Sequence, residues 1–407
     1  MKISTVFLVT IIISFLAISC NEKEIIQEFK TGFWRGEITM QEQQLPFVFE
    51  VLKSNDQFSI NLHDGASRME MDKIRVENDS VFFTIGIFDI DVKAKIENNS
   101  LYGIYTKNFA ENYELPFKAT FAKKNRLDNA KSDPVFNGKW DIDILKKNGD
   151  TIRTIGMFNT DDALFKGTII SKSGDFRFLE GTSENGDFTL YSFDGDNLKI
   201  FKAHAEGDQL VGEYWSGKTL HRTFIGKRNK NATLPDPSTL TYLKEGFDKI
   251  EFSFPDLDGN QVTLNNAKYQ DKVVILQIFG TWCPNCMDET IFFKEWLDNH
   301  KKSNVEIIGL AYENKPDFEY AKKRVEKMKE KLEVSYDFVI AGTSSSMAAG
   351  KTLPMLNHVM SFPTSIIIDK MGKVRKIHTG FSGPATGDYY LEYTKEFNSL
   401  MSELIAE

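Results

Sequence analysis

Val273 to Glu289 reads VVILQIFGTWCPNCMDE. Its first seven residues are an almost continuous apolar run of strand length, the pattern of a strand buried on both faces of a sheet. From Cys283 onward Met287, Ile291, Trp296 and Leu297 recur at helical spacing. The two cysteines of CPNC therefore sit where a strand turns into a helix. At a helix N-terminus the free N–H groups and the helix dipole favour negative charge, so Cys283 is the expected thiolate and nucleophile. Cys286, one turn deeper, is placed to attack a mixed disulfide formed at Cys283 and release the substrate reduced.

Other chemistries fit this pair less well. Zinc needs four ligands, but the chain has no second cysteine pair, and His300, His358 and His378 show no ligand spacing. A purely structural disulfide closing so small a loop would constrain the unfolded chain little. A peroxidase of the peroxiredoxin kind would place Thr three positions before the reactive Cys and Pro further upstream; Gly280 and Leu276 stand there.

The rest of the chain sets the context. At 407 residues it has room for two or three domains, and 41% hydrophobic with 27% charged residues is a globular balance. A net charge of -8 lacks the basic footprint of nucleic-acid binding. Lys2, the apolar run Val6–Leu16 and the small residues before Cys20 have the form of an export signal, too short for a confident membrane span. FLAISC resembles a bacterial lipoprotein signal, which implies cleavage before Cys20 and a lipid on that residue. With Cys20 consumed, Cys283 and Cys286 are the only thiols left in an oxidising compartment.

Between Lys30 and Arg228 short runs such as DIDVKAKI (Asp89–Ile96) and LKIFKAHA (Leu198–Ala205) alternate with period two and break at Asp-Gly, Asn-Gly and Gly-Asp. That pattern predicts antiparallel strands and hairpins, in a sandwich or barrel. A repeat of about a hundred residues pairs GFWRGEI at Trp34 with NGKWDIDI at Trp140. It also pairs LYGIY (Leu101–Tyr105) with LVGEY (Leu210–Tyr214), and KATFAKK (Lys118–Lys124) with HRTFIGKR (His221–Arg228). Asn229–Thr241, polar and holding two prolines, is the best linker. Beyond it strands alternate with helices, including one opened by Pro316 and Asp317 and running to about Leu332, which indicates an α/β domain with a mixed sheet.

FGTWCPNCMDE, with FPDLDGNQVTL and VVILQIF before it and SFPTSIIID and HTGFSGPATG after it, resembles the TlpA/ResA group of envelope thiol-disulfide oxidoreductases over about Ile250–Glu407. The resemblance implies a thioredoxin fold, with Pro363 as a cis-proline facing the CxxC. Phe362 would offer its backbone to an extended substrate, and Trp282 would shield the sulfur and provide contact surface. Thioredoxin itself has an Asp six residues before its first Cys; Gln277 is there instead, and Glu289, six residues after Cys283, matches the group's acid. Glu289 is thus the candidate for tuning the thiols or taking the proton of Cys286. A solvated first-turn acid is the other reading, and Asp288 beside it makes that reading harder to dismiss. Pro284-Asn285 departs from relatives that put Pro second; a Pro-first order occurs in strongly oxidising members. Asn285 is also expected to donate to the Cys283 thiolate and raise the potential.

The expected organisation is a signal peptide (1–19), a tether (20–29), β-rich units at 30–128 and 129–228, a linker (229–245) and a thioredoxin-like domain (246–407). The expected activity is dithiol-disulfide exchange on envelope proteins at a bacterial membrane, on its periplasmic or extracellular side, most simply as a reductase fed by a membrane thiol donor. No metal or organic cofactor is implied. An oxidase or isomerase, and a lipoprotein whose β region is mainly a partner-binding module, are the alternatives.

Overall fold

The computed structural model describes residues 28–161 and 163–407; the signal segment and Cys20 lie outside them. The alternating runs form two antiparallel barrels. In the first, eight strands from Gly32–Met40 to Glu114–Phe121 follow one another in sequence order, and pairing of the first with the last closes the ring. Ile90–Glu97 alternates strictly between buried and exposed residues, so each strand gives one face to the barrel core and one to solvent. In the second, eight strands between Gly138 and Arg228 close through pairing of Thr151–Asp161 with Leu164–Ser171 and of Leu220–Arg228 with Gly138–Leu145. The two-residue strand Gly174–Asp175 adds to the end of Leu164–Ser171.

The hundred-residue repeat is visible in side-chain detail. Trp34 and Trp140 are fully buried, and each indole donates to the carbonyl four residues earlier: Lys30 at 3.0 Å and Phe136 at 2.8 Å. Gly103 and Gly212 of the two LxGxY segments occupy equivalent places. A Cβ would lie 2.0 Å from the Lys93 carbonyl oxygen at the first and 2.5 Å from that of Lys202 at the second. The third pairing read from sequence is offset by four residues. Gly103 faces Phe117 and Gly212 faces Phe224, so the equivalent of Phe224 is Phe117 and not Phe121. A slip of four leaves period-two alternation unchanged, so pattern alone does not reveal it.

The C-terminal domain is a five-stranded mixed sheet in the order Asp337–Thr343, Val305–Glu313, Val273–Phe279, Thr364–Ile368, Val374–Thr379. Val273–Phe279 is central and buried at all seven positions, parallel to Val305–Glu313 and antiparallel to Thr364–Ile368. Helices α1 (Pro284–Asn299) and α4 (Asp388–Ala406) pack together through Phe292, Phe293 and Trp296 against Phe397. Helix α2 (Phe318–Lys331) starts after the N-cap Asp317, whose side chain accepts from Tyr320 N at 2.6 Å. Pro316 therefore precedes the cap instead of occupying the first turn. A short helix, α3 (Ser346–Thr352), is an element the sequence reading lacks. No described helix is long and apolar enough to cross a membrane.

The three bodies are tied by polar and apolar contacts. Arg324 of α2 is buried and donates to the carbonyls of Gly86 (2.6 Å) and Ile87 in the first barrel, while Lys327 and Lys331 pair with Asp72. The barrels meet where Phe47 packs on Phe193 and Lys107 pairs with Asp196 at 2.5 Å. The segment expected to be a linker is fastened to the C-terminal domain: Tyr242 N donates to Asn357 at 2.9 Å, and Lys244 N to the Met355 carbonyl at 2.8 Å.

Candidate functional site

Cys283 is the N-cap of α1 and Pro284 its first helical residue, a position where proline's missing N–H costs nothing. Cys283 and Cys286 are joined in a disulfide with Cα atoms 5.2 Å apart. The Cys283 sulfur accepts the N–H of Cys286 at 3.2 Å, the free helix-terminal donor that would also serve a thiolate. Cys283 is 6% exposed and Cys286 fully buried. The Phe362–Pro363 peptide is cis, and the Phe362 carbonyl oxygen stands 3.7 Å from the Cys283 sulfur. Trp282 presents its edge to the Phe362 ring at 5.5 Å and donates to the Tyr312 carbonyl at 2.8 Å. Gly280 has to be glycine here, because a Cβ would lie 2.2 Å from the Trp282 indole nitrogen.

Glu289 lies three residues beyond Cys286, on the same side of α1, and is fully buried. Its Oε2 accepts from Gln277 Nε2 at 3.0 Å; the same nitrogen donates to the Cys286 carbonyl at 3.3 Å. Gln277 Oε1 is fixed in turn by the hydroxyls of Tyr336 (3.0 Å) and Thr290 (3.2 Å). The amide that replaces thioredoxin's Asp is thus fully engaged as the link between Glu289 and the backbone of Cys286. Glu289 Oε1 has no hydrogen-bond partner among the described residues. Burial pushes this carboxyl up to about 8, with the hydrogen bond from Gln277 pulling it only partway back. It is not a solvated acid.

Two expectations change. Asn285 does not donate to Cys283; its amide donates to the carbonyls of Asp175 at 3.0 Å and Phe381 at 3.4 Å, because the second barrel places an acceptor beside the CxxC turn. Asp288 is also not a solvated surface acid, since it pairs with Arg177 at 2.6 Å and burial raises it to about 6. The sequence reading missed Arg177, Asp175, Tyr336 and Glu313. Glu313 is buried at the end of its strand and accepts from the Thr281 N–H and hydroxyl, each at 2.8 Å, pinning the loop that carries Trp282. None of these carries a local signal, because each acts across 30 or more residues of chain.

The Redoxin family model matches residues 244–390. The thiol-disulfide oxidoreductase ResA of Geobacillus thermodenitrificans is 32% identical over 130 residues, which are 32% of this chain and 66% of that protein. ResA of Geobacillus kaustophilus is 30% identical over 145 residues, 36% of this chain and 75% of the relative. A solved thiol-disulfide oxidoreductase from Bacteroides fragilis aligns over 36% of this chain and 99% of its own, at 20% identity and a TM-score of 0.28. The match to three quarters of a ResA protein places the chain in the ResA family of thiol-disulfide oxidoreductases.

Proposed function

We propose that the chain is an exported, lipid-tethered reductase of protein disulfides in the cell envelope, with the Cys283/Cys286 pair as its redox couple. The observation that carries this reading is the placement of that disulfide at the start of α1, against the cis Phe362–Pro363 peptide and with a buried carboxyl three residues on. In the reduced chain the Cys283 thiolate attacks a sulfur of the substrate disulfide, which breaks as the mixed disulfide forms. Cys286 loses its proton and attacks Cys283; the mixed disulfide breaks and the Cys283–Cys286 bond forms. Two electrons have then passed to the substrate, which leaves as two thiols. Glu289 is the group in reach of the Cys286 turn that takes this proton in its ionised form and returns it, in its acid form, when a membrane thiol donor reduces the bridge again. Trp282, Phe362 and Pro363 form the surface met by the substrate chain, and Pro284 and Asn285 shape the turn between the sulfurs.

Tethering through Cys20 is supported by the lipoprotein-like signal, and the envelope location by that signal together with cysteine usage. The Asn285 amide, whose bonds lie away from Cys283, adds no thiolate donor that would raise the potential. Insulin reduction by the wild-type chain and by Cys283→Ser tests the chemistry: equal rates would end the assignment. Equilibration with glutathione tests direction, and a potential near about -120 mV, that of strong disulfide oxidants, would reverse it. Cys286→Ser should hold its substrates as mixed disulfides, and Cys20→Ala should free the chain from membranes.

A further inference from the structure

The second barrel reaches the redox turn through the loop following Ser171. The Asp175 carbonyl takes the Asn285 amide at 3.0 Å, and its carboxylate accepts the N–H groups of Gly383 and Arg177, each at 2.6 Å. A Cβ on Gly380 would lie 2.8 Å from the Ser173 carbonyl carbon, so the barrel loop and the turn after Val374–Thr379 are in direct backbone contact. Arg177 Nη1 donates to the Pro284 carbonyl at 3.1 Å and to Asp288 at 2.6 Å, with its side chain 12% exposed. Its Nε stands 3.7 Å from Asp64 of the first barrel and 3.8 Å from Asp194 of the second. One guanidinium therefore joins all three bodies, one residue beyond the attacking cysteine.

We propose that Arg177 is a positioning residue of the redox couple: through it the second barrel fixes the Pro284–Asn285 turn and holds a permanent positive charge beside the start of α1. This rests on the redox reading given above. A cation near the N-cap favours the Cys283 thiolate, and stabilising the thiolate stabilises the reduced pair. The guanidinium is surrounded by Asp64, Asp175, Asp194 and Asp288, with Lys199 nearby and Arg126 3.9 Å from Asp64 as further cations. Removing Arg177 thus leaves Asp288, its partner at 2.6 Å, without that counter-charge beside the turn, whereas neutralising Asp288 leaves the cation less screened. The two substitutions have to move Cys283 in opposite directions, an outcome that mere loosening of the turn does not produce.

The test uses the full chain. The pH profile of iodoacetamide alkylation of Cys283, read in a Cys286→Ser background, reports thiolate formation; equilibration with glutathione, in chains keeping both cysteines, reports the couple. Arg177→Gln is expected to move the alkylation midpoint up by about half to one pH unit, leaving roughly three- to tenfold less thiolate below it, and to make the couple more reducing. Asp288→Asn is expected to move the midpoint down and the couple the other way, while Arg177→Lys restores most of the wild-type profile. Shifts in the same direction, or no shift in either variant, overturn the proposal. Should Arg177→Gln not fold, Asp288→Asn decides alone, an unmoved or raised midpoint being the refuting result. A wild-type chain that fails to equilibrate with glutathione at all refutes the redox reading instead.

Discussion

Glu289→Gln isolates the cost of a buried acid. In the unfolded chain this carboxyl titrates near its usual value of 4.5; in the oxidised fold burial raises it to about 8. Between those two pH values the folded state binds the extra proton, so stability is full below about 4.5 and is lost as pH rises through about 8. At about 1.4 kcal/mol per pH unit, the carboxyl lowers the stability of the folded chain by roughly 4–5 kcal/mol by pH 9. Glutamine is nearly isosteric, keeps an oxygen to accept from Gln277, and does not titrate. Urea unfolding of the oxidised wild type and of Glu289→Gln at pH 5, 7 and 9, followed through the tryptophans, gives the difference. The variant's advantage should widen steadily with pH, while Glu313, Asp64 and Asp288, raised for the same reason, cancel between the two proteins. A difference that stays flat from pH 5 to pH 9 would refute both the buried ionisation and the proton role built on it.

Four further substitutions probe how the site and the barrels are held. Thr281→Val removes one of the two donors to buried Glu313 and should cost about 1–3 kcal/mol, seen as a lower urea midpoint with an unchanged slope. Arg324→Ala strips the partners from the Gly86 and Ile87 carbonyls, so amides of Gly86–Phe88 should exchange at least tenfold faster while those of Val273–Phe279 do not change. Trp34→Ala and Trp140→Ala should each cost about 3–5 kcal/mol, and equal costs would bear out the equivalence of the two barrels.

What the sequence shows and what it hides follow from the range of each interaction. Val273–Phe279 is legible because a strand buried on both faces has to be apolar along its length, and the barrel strands because one face of each is wet. The Cys283–Cys286 turn is legible for the same local reason, two sulfurs one helical turn apart. Glu289 could be placed by its offset from Cys283, but its burial could not be foreseen, since Gln277, itself held by Tyr336, meets it from a separate strand. Asp288 looks like an ordinary first-turn acid until Arg177, 111 residues away, pairs with it. Strand alternation carries no such information. It fixes which face of a strand is buried but neither the register between repeats nor the partner each body meets.

Docking of the barrels therefore changes what the thioredoxin-like domain can present. In that domain the turn between the cysteines would ordinarily face water; here Asn285 is occupied by the second barrel, and the loop at Gly380–Gly383 is covered by Ser173–Asp175. Helix α2 is tied to the first barrel through Arg324, Lys327 and Lys331. On another side the cysteines are bordered by Trp282 and Phe362, whose carbonyl stands 3.7 Å from the Cys283 sulfur.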